Sequence, residues 1–157
     1  MTQKEFVKVL KKEKYSYEIE GDKIIVTYKD DVTFVALTSL PSAVEFRNKG
    51  DVYLSSITSL PTSVKFRNKG HVYLGDLTSL TPGVEFRNKG HVVLSSLTSI
   101  SPGVVFYNEE SVILKSLIGG WFKPSSGGWF NDHKGNIDGI DSKRLLNLMI
   151  SKGLFEI

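Results

Sequence analysis

Arg47, Arg67 and Arg87 recur every 20 residues, and Lys49, Lys69 and Lys89 follow each of them two positions later. Cations at a fixed spacing suit phosphates or carboxylates, arginine through its two-pronged planar fork and lysine as a compact point charge. The position two residues before each arginine reads Glu45, Lys65, Glu85. It alternates in sign, so stacked copies would give each charge an opposite neighbour. The arginine and lysine files do not alternate, and like charges side by side are destabilising. A cationic strip for an anionic partner is one reading. The other is that repeats are copies, so a column of identical residues records duplication and the lysines serve solubility. In the fifth copy these positions become Tyr107 and Glu109, with Glu110 beside them, so the strip is bounded.

Other chemistry is sparse. Tyr53 and Tyr73 continue as Val93 and Ile113, a partly aromatic column that suits a protein contact or lies under a terminal cap, with cover the favoured reading. Trp121, Phe122, Trp129 and Phe130 are open to the same two readings, a binding hot spot or cap core. His71 and His91 share a column with Asp51 before them. Two imidazoles alone leave a metal site incomplete, and stacked copies explain them more simply, so no metal or cofactor is expected. His133 has no recognisable partner. The sequence has no Gly-rich phosphate loop, nucleophile elbow or His-Glu-x-x-His. The acidic pairs Asp30-Asp31 and Glu109-Glu110 fall in turns, where solvated carboxylates are expected. Catalysis needs unique residues in a cleft, and repeats supply the opposite, so an enzyme is not expected.

Composition narrows the class. The 157 residues carry a formal charge of +3. Residues 44–103 hold seven Lys/Arg against four Asp/Glu, whereas the flanking segments balance at seven and seven and at six and six. The excess positive charge therefore sits in the most regular copies. Cysteine is absent, which excludes disulfides and thiolate metal sites. No secretory leader and no membrane-length apolar run is evident, so a soluble cytoplasmic protein is expected.

What must position these residues is a 20-residue unit written five times, starting at Ile24, Val44, Val64, Val84 and Val104. Val44 and Phe46 alternate with Glu45 and Arg47, and Val52 and Leu54 with Tyr53, so each unit predicts two short strands. Between them Asn48-Lys49-Gly50 predicts a turn in which glycine takes positive φ. Ile57 and Leu60 add a third apolar pair, and Pro61 should stop any ladder on that side. Units of this size bury their apolar faces on one another, which predicts a solenoid. Three inward columns follow: Val26 with the phenylalanines 46, 66, 86 and 106; Phe34 with the leucines 54, 74, 94 and 114; and Leu37, Ile57, Leu77, Leu97 and Leu117. Asn48, Asn68, Asn88 and Asn108 predict a hydrogen-bonding ladder.

The predicted fold class is therefore mainly β: a short-repeat, leucine-rich-repeat-like β-solenoid of about five coils, forming a single domain over 1–157. Residues 1–23 form an N-terminal cap, with a helix over Lys4–Lys12 and a hairpin of Tyr15–Glu20 against Lys23–Tyr28. Repeats run over 24–123. Residues 124–157 form a loop and a C-terminal helical cap, starting at Asp141 or Ser142 and ending at Gly153. Helices at both ends would cover open sheet edges.

The spacing Leu-x-x-Leu-Pro with an asparagine column resembles the short leucine-rich repeats of bacteria. The longer pattern Leu-Thr-Ser-Leu-Pro-x-x-Val-x-Phe-x-Asn-x-Gly-x-Val-x-Leu, with the tail Gly135–Asn147, resembles repeat proteins of bacteria and their phages. Val64, Phe66, Asn68 and Val72 fall at other offsets than the standard leucine-rich consensus, so a flat β-coil is as well supported as a horseshoe. The phage-like resemblance implies an inhibitor of a bacterial defence nuclease, in the manner of an anti-CRISPR protein. It would act through the basic face on protein or on guide RNA. The alternatives are a self-assembling structural protein and a direct, non-specific nucleic-acid binder.

Overall fold

The computed structural model describes residues 1–101, 103–110 and 112–114. It is mainly β, with one short helix and a β-solenoid that completes about four turns within those residues. The C-terminal helix expected over 141–153, and Trp121 and Trp129, lie outside the described residues.

Helix α1 (Gln3–Lys12) starts where Thr2 and Glu5 form a capping box: Glu5 N–H donates to Thr2 Oγ1 at 3.3 Å and Thr2 N–H to Glu5 Oε2 at 2.7 Å. Its apolar stripe buries Phe6 and Leu10 over the first coil, Phe6 lying 5.7 Å from Phe34. A hairpin follows, β1 (Tyr17–Glu20) antiparallel to β2 (Lys23–Val26). The next strand, β3 (Val32–Thr33), is the edge of its sheet, and Tyr15 closes that edge. The Tyr15 hydroxyl accepts from Thr33 N–H at 2.9 Å and donates to Thr33 O at 3.1 Å.

Each later unit repeats the two strands. β4 (Val44–Phe46), β6 (Lys65–Phe66), β9 (Glu85–Phe86) and β12 (Val105–Phe106) continue from β2 as a parallel ladder in 20-residue register. β5 (Val52–Tyr53), β7 (Val72–Tyr73), β10 (Val92–Leu94) and β13 (Val112–Leu114) continue from β3 in the same way. The predicted inward columns are buried throughout the described residues. Phe46, Phe66, Phe86 and Phe106 stack at 5.3, 5.0 and 4.8 Å with planes within 6°. Each fully buried ring contributes on the order of 2–3 kcal/mol of apolar transfer.

The third side corrects one expectation. Proline was to stop any ladder there, yet β8 (Ser79–Leu80) pairs in parallel with β11 (Ser99–Ile100). The reason is a shift in sequence. Units one and two begin this corner with Pro41 and Pro61, which have no N–H to give. The later units place proline one residue on, at 82 and 102, and Ser101 N–H donates to Leu80 O at 3.0 Å.

A second correction concerns the turns. Within the described repeats the residues at positive φ are not those of the Asn-Lys-Gly step but Ala43 (57°), Ser63 (66°), Gly83 (81°) and Gly103 (86°), one column two or one residues past the prolines. A Cβ in this region costs about 1 kcal/mol or more. Ser63→Gly is therefore expected to stabilise by up to about 1 kcal/mol, read as a raised denaturant midpoint at unchanged slope.

Gly50, Gly70 and Gly90 serve a different need: close approach of one coil to the next. A Cβ on Gly50 would sit 2.6 Å from Asp31 N and 2.7 Å from Asp30 C, besides striking the Asp31 carboxylate. Gly70 N–H donates to Gly50 O and Gly90 N–H to Gly70 O, both at 3.2 Å, so the chain runs backbone on backbone here.

Candidate interaction face

The outward side of the first sheet holds the charge. Because side chains alternate along a strand, Glu45 and Arg47 project on the same side while Val44 and Phe46 point inward. The register Glu45↔Lys65↔Glu85 then puts Arg47, Arg67 and Arg87 on consecutive rungs, all exposed.

The arginine file is not unrelieved, as its own column suggested. Its acids stand in the neighbouring column. Glu45 Oε1 lies 2.5 Å from Arg47 Nε and 3.4 Å from Arg67 Nε, and its Oε2 lies 3.6 Å from Lys23 Nζ. Glu85 meets Lys65 Nζ at 2.9 Å, Arg87 Nε at 3.1 Å and Arg67 Nη2 at 3.8 Å. Arg87 also lies over the Tyr107 ring at 4.5 Å, so the file ends on a cation–π contact. The Glu45 side chain is only 3% exposed. Reading each column alone hid this network, because residues two apart on one strand are also neighbours.

Burial opposes ionisation of Glu45, and the hydrogen bond from Arg47, with the charges of Arg47, Arg67 and Lys23, outweighs it: the carboxyl is held below its usual range. Glu85 is lowered for the same reasons, through Lys65 and Arg87. A folded-state value below the unfolded one contributes stability that is present above about pH 4.3 and is lost as pH falls through the folded value. Thermal unfolding of wild type should weaken on acidification over that window. Glu45→Gln should start lower at neutral pH and show a flatter profile. Matching profiles would remove Glu45 from the account.

The lysine file is different. Lys49 and Lys69 are exposed, and neither has an ion pair among the described residues. Lys89 meets Glu109 at 3.1 Å, where the file ends. The ladder adds a member that the sequence reading missed. Lys49 N–H donates to Tyr28 O at 3.1 Å, Lys69 N–H to Asn48 O at 3.1 Å and Lys89 N–H to Asn68 O at 3.2 Å. That register makes Lys29 the first lysine of the rail, exposed and 3.7 Å from Asp30. Its signal was the alignment of Ile24 with Val44, masked by the degraded Thr27-Tyr28-Lys29-Asp30 step.

Buried asparagines hold this corner. Asn68 Nδ2 donates to Gly50 O and His71 O, both at 3.1 Å, and Asn48 and Asn88 make matching bonds. The acceptor set fixes which end of each amide is nitrogen. The buried Oδ1 atoms of Asn48, Asn68 and Asn88 have no hydrogen-bond partner among the described residues.

Past the corner, one column accepts the N–H of the next coil. Asp31 Oδ1 accepts from Asp51 N, Asp51 Oδ1 from His71 N, and His71 Nδ1 from His91 N, each at 2.8 Å. His71, His91 and Glu110 bring possible ligand atoms within 4.8 Å of one another, and His91 Nε2 lies 2.9 Å from Glu110 Oε2. The lone pair of His71 Nδ1 is engaged by the backbone, which places the proton of a neutral ring on Nε2. That nitrogen then has no lone pair for a metal, so the column fits a hydrogen-bonding ladder better than a metal centre.

Tyr53 and Tyr73 stand on the outer face of the second sheet, half-buried and stacked at 4.6 Å. Tyr53 hydroxyl donates to Asp51 Oδ2 at 2.9 Å, and this bond pushes its pKa up to about 12. Helix α1 packs over the end of the core, against Phe34, rather than over these tyrosines. No protein-family model matches the chain, and neither curated proteins nor solved structures give a match. No helix among the described residues is long and apolar enough to cross a membrane.

Proposed function

We propose that this chain is a non-enzymatic binding protein that docks on an anionic macromolecule through the lysine corner of its solenoid. The observation that carries this reading is Lys49 and Lys69, exposed on consecutive rungs and without an ion pair among the described residues. Elsewhere the same face answers nearly every cation with an acid, and like charges left adjacent cost stability unless a partner neutralises them. The resemblance to phage and bacterial repeat proteins extends the reading to an inhibitor that occupies the guide-RNA channel or the guide RNA of a defence nuclease.

The arginines contribute charge but are poor probes. Reversing Arg47 would leave the buried Glu45 beside a second carboxylate and would test folding instead of binding. The lysines are free of that confusion. Wild type and Lys49→Glu/Lys69→Glu, immobilised in parallel, are exposed to bacterial lysate with and without nuclease. A partner held by wild type and lost by the variant, both folded by circular dichroism, is the expected result. A partner retained equally by both would overturn the reading.

A further inference from the structure

We infer that the outer edge of β1 is a docking site for an extended segment of a partner protein in which basic and aliphatic residues alternate. The inference goes beyond the lysine corner and does not depend on it. β1 is the edge of the six-stranded sheet. Thr27 N–H donates to Ser16 O at 2.9 Å, and antiparallel hydrogen bonding alternates from there, through the pairs Glu18↔Ile25 and Glu20↔Lys23. Tyr17 and Ile19 therefore turn their N–H and C=O groups away from β2, to a side where no strand stands among the described residues. Their partners on β2 agree with this: Ile24 N–H donates to Ala43 O and Val26 O accepts from Arg47 N–H, both on the far side. The second sheet ends differently, because the Tyr15 hydroxyl satisfies both the N–H and the C=O of Thr33. The chain thus closes one N-terminal edge and leaves the other open.

The side chains at this edge decide which strand fits. Ile19 is 58% exposed, yet it ends a column that continues inward through Ile24 and Val44, both buried. An aliphatic residue opposite Ile19 would cover it and extend that column by one rung. Glu18 projects from the other face, exposed and without an ion pair among the described residues. Glu20 meets Lys23 at 3.1 Å and stays half-exposed, so it adds negative charge to the same rim. Further along this sheet the outward column alternates as Glu45, Lys65 and Glu85, so a cation is the matching neighbour for Glu18. A second copy does not meet that need. Antiparallel pairing of two β1 strands, with both cores on one side, would set glutamates against glutamates, and acids on an edge block such self-pairing. The same acids admit a basic strand, which gains main-chain hydrogen bonds from the edge and matching side chains on both faces.

The test is fluorescence anisotropy of a labelled peptide, Val-Lys-Val-Lys-Val-Lys-Val, titrated with the full-length chain. A peptide of the same composition in blocks, Lys-Lys-Lys-Val-Val-Val-Val, serves as the second probe. The alternating peptide is expected to bind and the block peptide to bind more weakly. Glu18→Lys should weaken the alternating peptide at least about fivefold. Ile19→Pro should weaken it at least about tenfold, and the variant should still fold, because proline removes an N–H that no strand of the protein uses. Ile19→Ala keeps that N–H, loses the apolar cover and should fall between wild type and the proline variant. Glu13→Lys, the same charge change on an exposed position at the end of α1, should have a smaller effect than Glu18→Lys. Lys49→Glu/Lys69→Glu should not weaken the peptide, which separates this site from the lysine corner.

No binding of the alternating peptide up to about 1 mM would overturn the inference. Equal binding of the block peptide, or equal loss in Glu13→Lys, would also overturn it by reducing the effect to net charge. Undiminished binding to a folded Ile19→Pro would show that the backbone edge is not used. A wild-type chain that is dimeric by light scattering, and monomeric as Ile19→Pro, would give the edge to a second copy instead. If the proline variant fails to fold by circular dichroism, Glu18→Lys and Ile19→Ala carry the same decision. None of these outcomes bears on the lysine corner, which the lysate comparison tests by itself.

Discussion

Gly70→Ala is expected to unfold the middle of the solenoid, lowering stability on the order of 3 kcal/mol, at the severe end for an inserted methyl group. A Cβ there would lie 2.7 Å from Gly50 C and 2.8 Å from Asp51 N, and would collide with the Asp51 carboxylate. Backbone atoms cannot move aside without parting the coils. The carboxylate cannot move without giving up the His71 N–H. A chain of this length should lose very roughly 10 °C of Tm, followed by circular dichroism. Gly75→Ala is the internal control. The nearest atom to its added Cβ is Ser55 Cβ at 4.0 Å, so it should be neutral or gain a few tenths of a kcal/mol. Similar losses at both glycines would refute close approach as the reason for Gly70. Because this contact spaces the coils that carry Lys49 and Lys69, Gly70→Ala should also weaken whatever the lysine rail binds.

Asn68→Asp should rival that effect and, unlike it, depend on pH. The Asn68 amide donates to two carbonyls, Gly50 O and His71 O. A carboxylate of the same shape would aim a buried negative charge at both and donate to neither. The expected cost near neutral pH is on the order of 3–5 kcal/mol. Burial and facing acceptors would raise the new carboxyl above its unfolded value. The sign follows: the protonated form folds better, so the extra loss is absent below about pH 3.9, grows as pH rises past it, and is complete above the raised folded value. Denaturant midpoints of variant and wild type, compared at each pH, should converge on acidification. Asn68→Leu removes both donors without adding charge and should show a constant difference. A variant insensitive to pH would mean that the site is hydrated or that the amide bonds are dispensable.

The corner connects these two predictions to function. Asn68 and Gly70 flank Lys69, one fixing the loop to the coil before it and the other letting the backbones meet. The lysine is exposed because its neighbours on both sides are committed inward. Much of this was legible from period and residue type: stacked copies require identical environments, so a buried asparagine column and inward phenylalanine and leucine columns follow from a 20-residue register alone. Glycine's reason was not. Gly50, Gly70 and Gly90 read as positive-φ residues, but the left-handed column is Ala43, Ser63, Gly83 and Gly103, where two non-glycines hide the signal.

The sequence by itself determined the solenoid, the register, the three apolar columns, the N-terminal cap and which residues face out. These depend on periodicity, and a repeat of fixed length leaves stacking as the one way to bury its apolar residues. Only the tertiary structure decided which outward cations are free. Arg47, Arg67 and Arg87 are answered by Glu45 and Glu85 across rungs and along strands, whereas Lys49 and Lys69, one corner away, form no ion pair among the described residues. It also decided that Pro61 bars a third ladder but Ser101 opens one, and that the lone pair of His71 Nδ1 serves the backbone. Pairing between columns depends on distances across two directions of a sheet. A linear pattern supplies only the separation along the chain, so the partner of each charge appears when the coils are laid side by side.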